Sequence, residues 1–420
     1  MVFSAIIALA GLVALAFSSS VTSSGTSSVK SDRKWEIPVP EPSAIWANAA
    51  AAGKPWVVAH TRSYLVDSSR KDPYNDSQDR KAAFSIFMPV YGKNCTATTD
   101  NEYAPELTAK ACNLQFFGDK DAGVFDELYF KSCTGDTSET IADDHPLIIF
   151  EPAFGTSRFL YNQLARQLSA NGAYVVTIDH PHDAPIVEFT GSDAIESNGA
   201  IKLDAFTVNK PVDDVDTKKA IEARIGDIDA VIKELEKPGA LQNYFPGINS
   251  IANKKVNTDR LYMIGHGLGG SVVSSMSASN PRVEWIINLS GSTPVLTKDI
   301  TAYTVFFGRE TYRSEDDEAW KATKKHLTGP QVEWTYNKAD QFDYSDLPLV
   351  SHVAGKNKDA KGIGKPYENI DPNDPTATFR GLSCFLEGYL RDTVFGNDHP
   401  ALPKCVGWFG DSMKMHVPSS

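Results

Sequence analysis

The residues with most chemical content form a glycine cluster, Gly265-His266-Gly267-Leu268-Gly269-Gly270, placed after the apolar run 261–264 and before the small-residue stretch 268–279. Three readings compete for it. As G-x-G-x-x-G it would cradle a dinucleotide pyrophosphate, but that fingerprint needs an acid closing the next strand to hold the ribose. Here Glu284 precedes the next apolar run, 285–289, Ser290 closes it, and the cluster lies deep in the chain instead of opening a domain. As G-x-S-x-G it is a nucleophile elbow whose central serine is replaced by Gly267. The central residue of an elbow is held in a strained conformation so that its hydroxyl projects over the sheet. Glycine adopts that conformation without a Cβ penalty, so the exchange keeps the turn and deletes the attacking atom. The third reading is a plain structural turn.

Around the cluster, the backbone N–H of Leu268 and the loop 152–155 would floor a cleft, with Phe154 as an apolar wall. Glu151, His266, Ser290 and Asp340 are candidates for its polar groups, each with a structural hydrogen bond as the alternative role. A sheltered apolar cleft with a few convergent polar groups is what a small-molecule site requires. Ser271 is expected to point along its helix. His266, His180 and His182 are expected to be structural.

An alternation of strands and helices must position these residues. The runs 84–90 and 127–133 read as strands at the antiparallel start of a sheet, and 147–150 and 174–178 as strands buried on both faces. Helical spacing marks 158–170 (Leu160, Leu164, Leu168), 216–236 (Ile221, Ile225, Ile228, Ile232, Leu235) and 376–394. Strands follow at 261–264, 285–289, 303–307 and 332–336. The pattern predicts an α/β fold, a mostly parallel sheet with helices on both faces. The stretch 355–375 reads as a polar loop or flap, and no internal repeat is visible.

The net charge of −12 over 420 residues argues against nucleic acid, whose readers need a basic face. Residues 1–24 read as a signal peptide, because the apolar run 5–17 is, at about 13 residues, too short for a bilayer span of about 20. Residues 25–42 read as a linker and 43–420 as one domain, with no stable membrane insertion. Five cysteines match no zinc spacing and suit an oxidising, secretory compartment. Cys384 is expected to pair with Cys405, and two of Cys95, Cys112 and Cys133 with each other. Glycosylation sequons stand at Asn75 and Asn94; a third, at Asn288, falls in a strand run and is expected to be buried and unmodified. No metal or cofactor is implied.

Several segments together resemble the fungal, secreted relatives of the platelet-activating-factor acetylhydrolase family, over roughly 84–349. They are Ser85-Ile86-Phe87-Met88-Pro89-Val90, Ile148-Ile149-Phe150-Glu151-Pro152-Ala153-Phe154-Gly155-Thr156-Ser157-Arg158, Val175-Val176-Thr177-Ile178-Asp179-His180-Pro181-His182-Asp183-Ala184, and the elbow itself. The resemblance implies an α/β-hydrolase fold with a Ser–Asp–His triad. At the three triad positions this chain has Gly267, Ser290 and, before Gln341, Asp340. Ser290 has no evident base, Asp340 replaces an imidazole near neutral pH only with a greatly raised pKa, and Glu310 stands without a partner. Loss of the nucleophile alone typically costs on the order of 10⁶ in rate, so the chain is expected not to be an enzyme. It also looks like the fungal non-catalytic, hydrolase-like dirigent proteins. That likeness implies binding of a small phenolic ligand and steering of its oxidative coupling by a laccase-type multicopper oxidase. The alternatives are a residually active esterase of the acetylhydrolase type and a secreted interaction protein without a small-molecule ligand.

Overall fold

The computed structural model describes residues 34–37, 56–137, 145–189, 194–196, 216–251, 254–366, 368, 373–396 and 401–416. The expected signal peptide lies outside the described residues. Of the stretch expected as a linker, residues 34–37 are described, and they belong to the fold. Trp35–Glu36 (β1) runs parallel to Leu128–Asp136 (β5), and Ile37 is fully buried. The apolar pair Trp35 and Ile37 flanking Glu36 outweighs the Ser/Thr- and Pro-rich surroundings.

The antiparallel start of the sheet is a long hairpin, Trp56–Asp72 (β2) and Asn75–Tyr91 (β3). Cys95–Glu102 (β4) follows, then Glu106–Phe117 (α1), and β4 pairs antiparallel with β5. The parallel series is Leu147–Glu151 (β6), Asn162–Ala170 (α2) and Tyr174–Asp179 (β7). A small hairpin, Ile186–Glu188 (β8) with Ala194–Glu196 (β9), stands apart. Then come Thr217–Leu235 (α3), Ala240–Tyr244 (α4), Leu261–His266 (β10), Leu268–Ser279 (α5), Val283–Leu289 (β11) and Tyr303–Arg309 (β12). Glu318–Lys324 (α6), Gln331–Tyr336 (β13), Leu347–Val353 (α7), Ala377–Tyr389 (α8), Leu402–Phe409 (α9) and Met413–His416 (β14) complete the chain.

The main sheet runs β1-β5-β2-β3-β7-β6-β10-β11-β12-β13-β14, with β4 beside β5. From β7 to β13 all neighbours are parallel, and β14 closes the edge antiparallel to β13. Strands β6, β7 and β10 are buried along their whole length because helices cover both faces, and their Val, Ile and Leu side chains suit that position. Two apolar cores result. One holds Phe150, Ile264, Trp285 and Phe307 against α2 and α8; the other holds Ile149, Met263 and Ile286 against α3 and α5.

Two disulfides form, Cys384–Cys405 as expected and Cys95–Cys133 among the first three cysteines; Cys112 on α1 stays a buried thiol. The second bridge lies next to Asn94, which is buried, so its sequon is not presented to solvent. Asn75 is partly exposed, and Asn288 is fully buried with its amide oxygen accepting from Gly291 N–H at 2.7 Å. Residues 355–366 carry no helix or strand, yet they are pinned. Gly362 O accepts from Phe342 N–H at 2.8 Å, and Gly364 N–H donates to Asp343 at 2.7 Å. Of the expected loop or flap, these residues form a loop, held to the turn at 340–344 by these two bonds. Among the described residues no helix is long and apolar enough to cross a membrane.

Candidate functional site

The site forms where β10 turns into α5. Gly267 has φ 55° and ψ −120°, a conformation that strains any residue with a Cβ. A Cβ built there would lie 3.3 Å from both Ala153 Cβ and Gln341 Nε2. The flanking glycines serve close approach: a Cβ on Gly265 would stand 2.1 Å from Gly269 O, and one on Gly269 2.4 Å from Glu151 O. Strand, turn and helix therefore pack with backbone against backbone, in the geometry of a nucleophile elbow. It is secured by Gly267 N–H donating to Leu289 O at 3.0 Å and Gly270 N–H to Gly267 O at 2.9 Å.

Two backbone N–H groups here have no acceptor among the described residues, that of Leu268 at the start of α5 and that of Phe154, next to the Ala153 that borders the elbow. The first amides of a helix have no intrahelical partner and carry its positive end. An N–H after the elbow and one from the loop after the neighbouring strand are what an oxyanion hole uses. Phe154 is half-buried on that loop.

The loop is clamped from below. Arg224 on α3 donates to Pro152 O at 2.7 Å and to both oxygens of Asp183, at 2.6 and 2.7 Å, and the backbone carbonyl of Asp183 accepts from Gly155 N–H at 3.0 Å. Glu151, expected to offer a polar group to a ligand, is instead fully buried in this charge network. Its Oε2 lies 2.9 Å from His180 Nε2 and 3.4 Å from Arg224, while Oε1 has no partner. His180 Nδ1 meets Asp227 at 2.9 Å, and Arg80 and Arg70 complete Asp227's shell. Burial pulls the His180 pKa down, but the two carboxylates outweigh it and raise it to about 9, leaving an imidazolium at neutral pH.

His266 packs under the elbow. Its Nδ1 lies 2.8 Å from Tyr161 Oη, and its Nε2 faces the Gln341 amide nitrogen at 3.2 Å, so Nε2 accepts and Nδ1 carries the proton. Burial, reinforced by the Arg309 charge, lowers its pKa to about 3, which makes it a weak base. Ser271 Oγ donates to Ser292 O at 2.7 Å, away from the elbow.

The other two triad positions are joined by a residue that sequence reasoning passed over. Ser290 closes β11 in a left-handed conformation, φ 55°, and its Oγ accepts from Arg309 Nε at 2.8 Å. Arg309 Nη1 lies 3.6 Å from Asp340 Oδ1. Asp340 caps the next turn through Gln341 N–H at 2.7 Å, and it is the Gln341 side chain that reaches the elbow. Asp340, read from the sequence as the imidazole position, is held in this cap, and the neighbouring Gln341 side chain lies nearer to the elbow. Asp343 accepts from the N–H groups of Asp340 and Gly364, at 2.7 Å each, yet burial still raises its pKa to about 7. Glu310 is exposed and has a partner after all, accepting from Lys338 N–H at 3.2 Å. Among the described residues no group of three His, Cys, Asp or Glu side chains is placed to hold a metal ion.

Residues 85–293 match the family model of platelet-activating factor acetylhydrolase, isoform II. Over 362 residues the chain is 26% identical to a probable 1-alkyl-2-acetylglycerophosphocholine esterase of Arthroderma benhamiae, covering 80% of this chain and 86% of that protein. In three dimensions it is similar to a ferulic acid esterase from Streptomyces cinnamoneus, with a TM-score of 0.67 and 18% identity over 91% of this chain and 99% of the other. These relatives are named for ester hydrolysis, which overturns the expectation of a chain without enzyme activity. That expectation followed from the replacement of all three triad positions, Gly267, Ser290 and Asp340. The phenol-coupling role gains no support from them. With its parallel sheet, elbow and facing loop, this chain has the α/β-hydrolase fold and is similar, over residues 85–293, to platelet-activating factor acetylhydrolase.

Proposed function

We propose that this chain is a slow carboxylic-ester hydrolase in which water takes the role of the missing serine. The observation that carries the reading is the pair of unused backbone donors, Leu268 and Phe154 N–H, on the two segments that meet at an elbow held at φ 55°, ψ −120° at Gly267. A substrate carbonyl set between them would gain charge stabilisation only as the oxyanion develops, which lowers the barrier to attack by water; the water's protons pass to solvent and to the departing alkoxide, and no acyl-enzyme forms. Enzymes stripped of a triad member retain roughly 10³–10⁴-fold acceleration over water from such donors and from binding. The names of the relatives support short acyl esters, acetyl esters of glycerophospholipid type among them, as the first substrates to try. The apolar leader and the two disulfides support a place in the secretory pathway.

The test is hydrolysis of 4-nitrophenyl acetate by the purified full chain, with heat-unfolded protein as the blank. Turnover abolished by Gly267→Ala, whose methyl would fill the place of the attacking water, is the expected result. Rates equal to the blank for acetate, butyrate and phospholipid acetyl esters alike would end the proposal.

A further inference from the structure

The geometry points to Arg309 as an anion-binding residue of this site, selecting esters that carry a second, free carboxylate; this rests on the hydrolytic reading above. Arg309 ends β12, between the two positions where an acid and an imidazole would stand. Its backbone is fixed by a reciprocal pair with Tyr312, N–H to O at 2.7 Å and O from N–H at 3.0 Å, and the guanidinium lies 5.8 Å from the Tyr312 ring centroid. Nε is used by Ser290 Oγ at 2.8 Å, which orients the plane of the group.

What remains is a fork without a match. Nη1 and Nη2 have no acceptor in hydrogen-bond range among the described residues; the nearest carboxylate, Asp340, stays at 3.6 Å and is occupied in capping Gln341. The side chain is 19% exposed, dry enough to strengthen its field and open enough to be reached. The groups facing it are Asp340, Asp343, Tyr344 and His266, and burial raises the pKa of Asp343 to about 7. A guanidinium fork pairs with the two oxygens of a carboxylate through parallel N–H donors. With the ester carbonyl at Leu268 and Phe154, Arg309 would hold the far end of a dicarboxylic half-ester. No bond is made or broken at Arg309, which acts on binding alone.

The experiment compares 4-nitrophenyl hemiglutarate with neutral 4-nitrophenyl butyrate for the wild type, Arg309→Gln and Arg309→Lys. It also measures by NMR the binding of N-(4-nitrophenyl)glutaramic acid, an amide analogue that is not turned over. The expected result is a KM ratio favouring the anionic ester that falls about tenfold in Arg309→Gln, recovers partly in Arg309→Lys, and shrinks with added salt. The amide analogue should weaken by the same factor. If neither ester turns over while the analogue still binds through Arg309, the hydrolytic reading fails and the anion site stands. Equal KM ratios and equal analogue binding in wild type and Arg309→Gln overturn the inference, as does tighter binding of phenyl phosphate than of the carboxylate.

Discussion

Installing a working nucleophile tests both the elbow and the place of Gln341. Gly267→Ser adds a Cβ at φ 55°, ψ −120°, a strain of about 1–3 kcal/mol. Its closest neighbours would be Ala153 Cβ and the Gln341 amide, each at 3.3 Å, and the amide can swing away. The serine alone should bring little, since His266 is a weak base that already accepts from Gln341. Adding Gln341→His puts an imidazole where the Gln341 amide now meets the elbow. In a complete triad the serine and histidine are worth about 2 × 10⁶, of which loss of the acid alone forfeits about 3 × 10⁴; a pair without its acid therefore keeps about 10–100-fold. Ser290, tied to Arg309, supplies no acid, so this range applies. Stopped-flow release of 4-nitrophenol from 4-nitrophenyl acetate should show a burst in the double variant and none in Gly267→Ser. A burst of equal size in the single variant would mean that a base is already in place. No gain in a folded double variant would mean that Gln341 does not occupy the imidazole's position.

Other outcomes follow from the supports of the site. Arg224→Met leaves the Asp183 carboxylate buried without its cation, and Glu151 with His180 alone, and should cost about 3–5 kcal/mol in urea unfolding; Arg224→Lys should recover only part, because one ammonium cannot span Asp183 and Pro152 O. His180, raised to about 9 in the fold against about 6.5 unfolded, binds more protons folded than unfolded between these values. Its contribution is complete below pH 6.5 and lost as pH rises through 9, so the unfolding midpoint should fall from pH 7 to 9. The lowered His266 and His60 act in the opposite sense but have finished titrating by then, and His180→Gln should flatten the slope. Cys384→Ser with Cys405→Ser opens a loop of 21 residues and should cost about 3 kcal/mol, read from chemical denaturation.

The parallel strands and the elbow were legible because both depend on local pattern: apolar runs four to six residues long, and glycines at alternate positions. The reading stopped where contacts join distant segments. Arg309 and Ser290 are 19 residues apart, and Arg224 and Pro152 O are 72 apart. No local periodicity marks either contact. The approach of Gln341 to the elbow was hidden for a related reason, since a capping carboxylate and a site residue look alike in sequence and only the turn decides which side chain faces inward. β2 was missed although Trp56, Val58, His60 and Arg62 alternate with smaller or apolar residues, a period of two that could have revealed it. β14 alternates as well, Met413-Lys414-Met415-His416, but over only four residues, and it is held by pairing with β13.

Cys112 gives the molecule a built-in gauge of its own openings. The thiol is sealed in the core beneath α1, and burial drives its pKa far above that of a free cysteine. A reagent such as Ellman's compound can therefore reach it only when the surrounding layer parts. Because the other four cysteines are locked in bridges, the labelling rate would count those excursions alone, and a ligand that binds only the closed fold should slow the count.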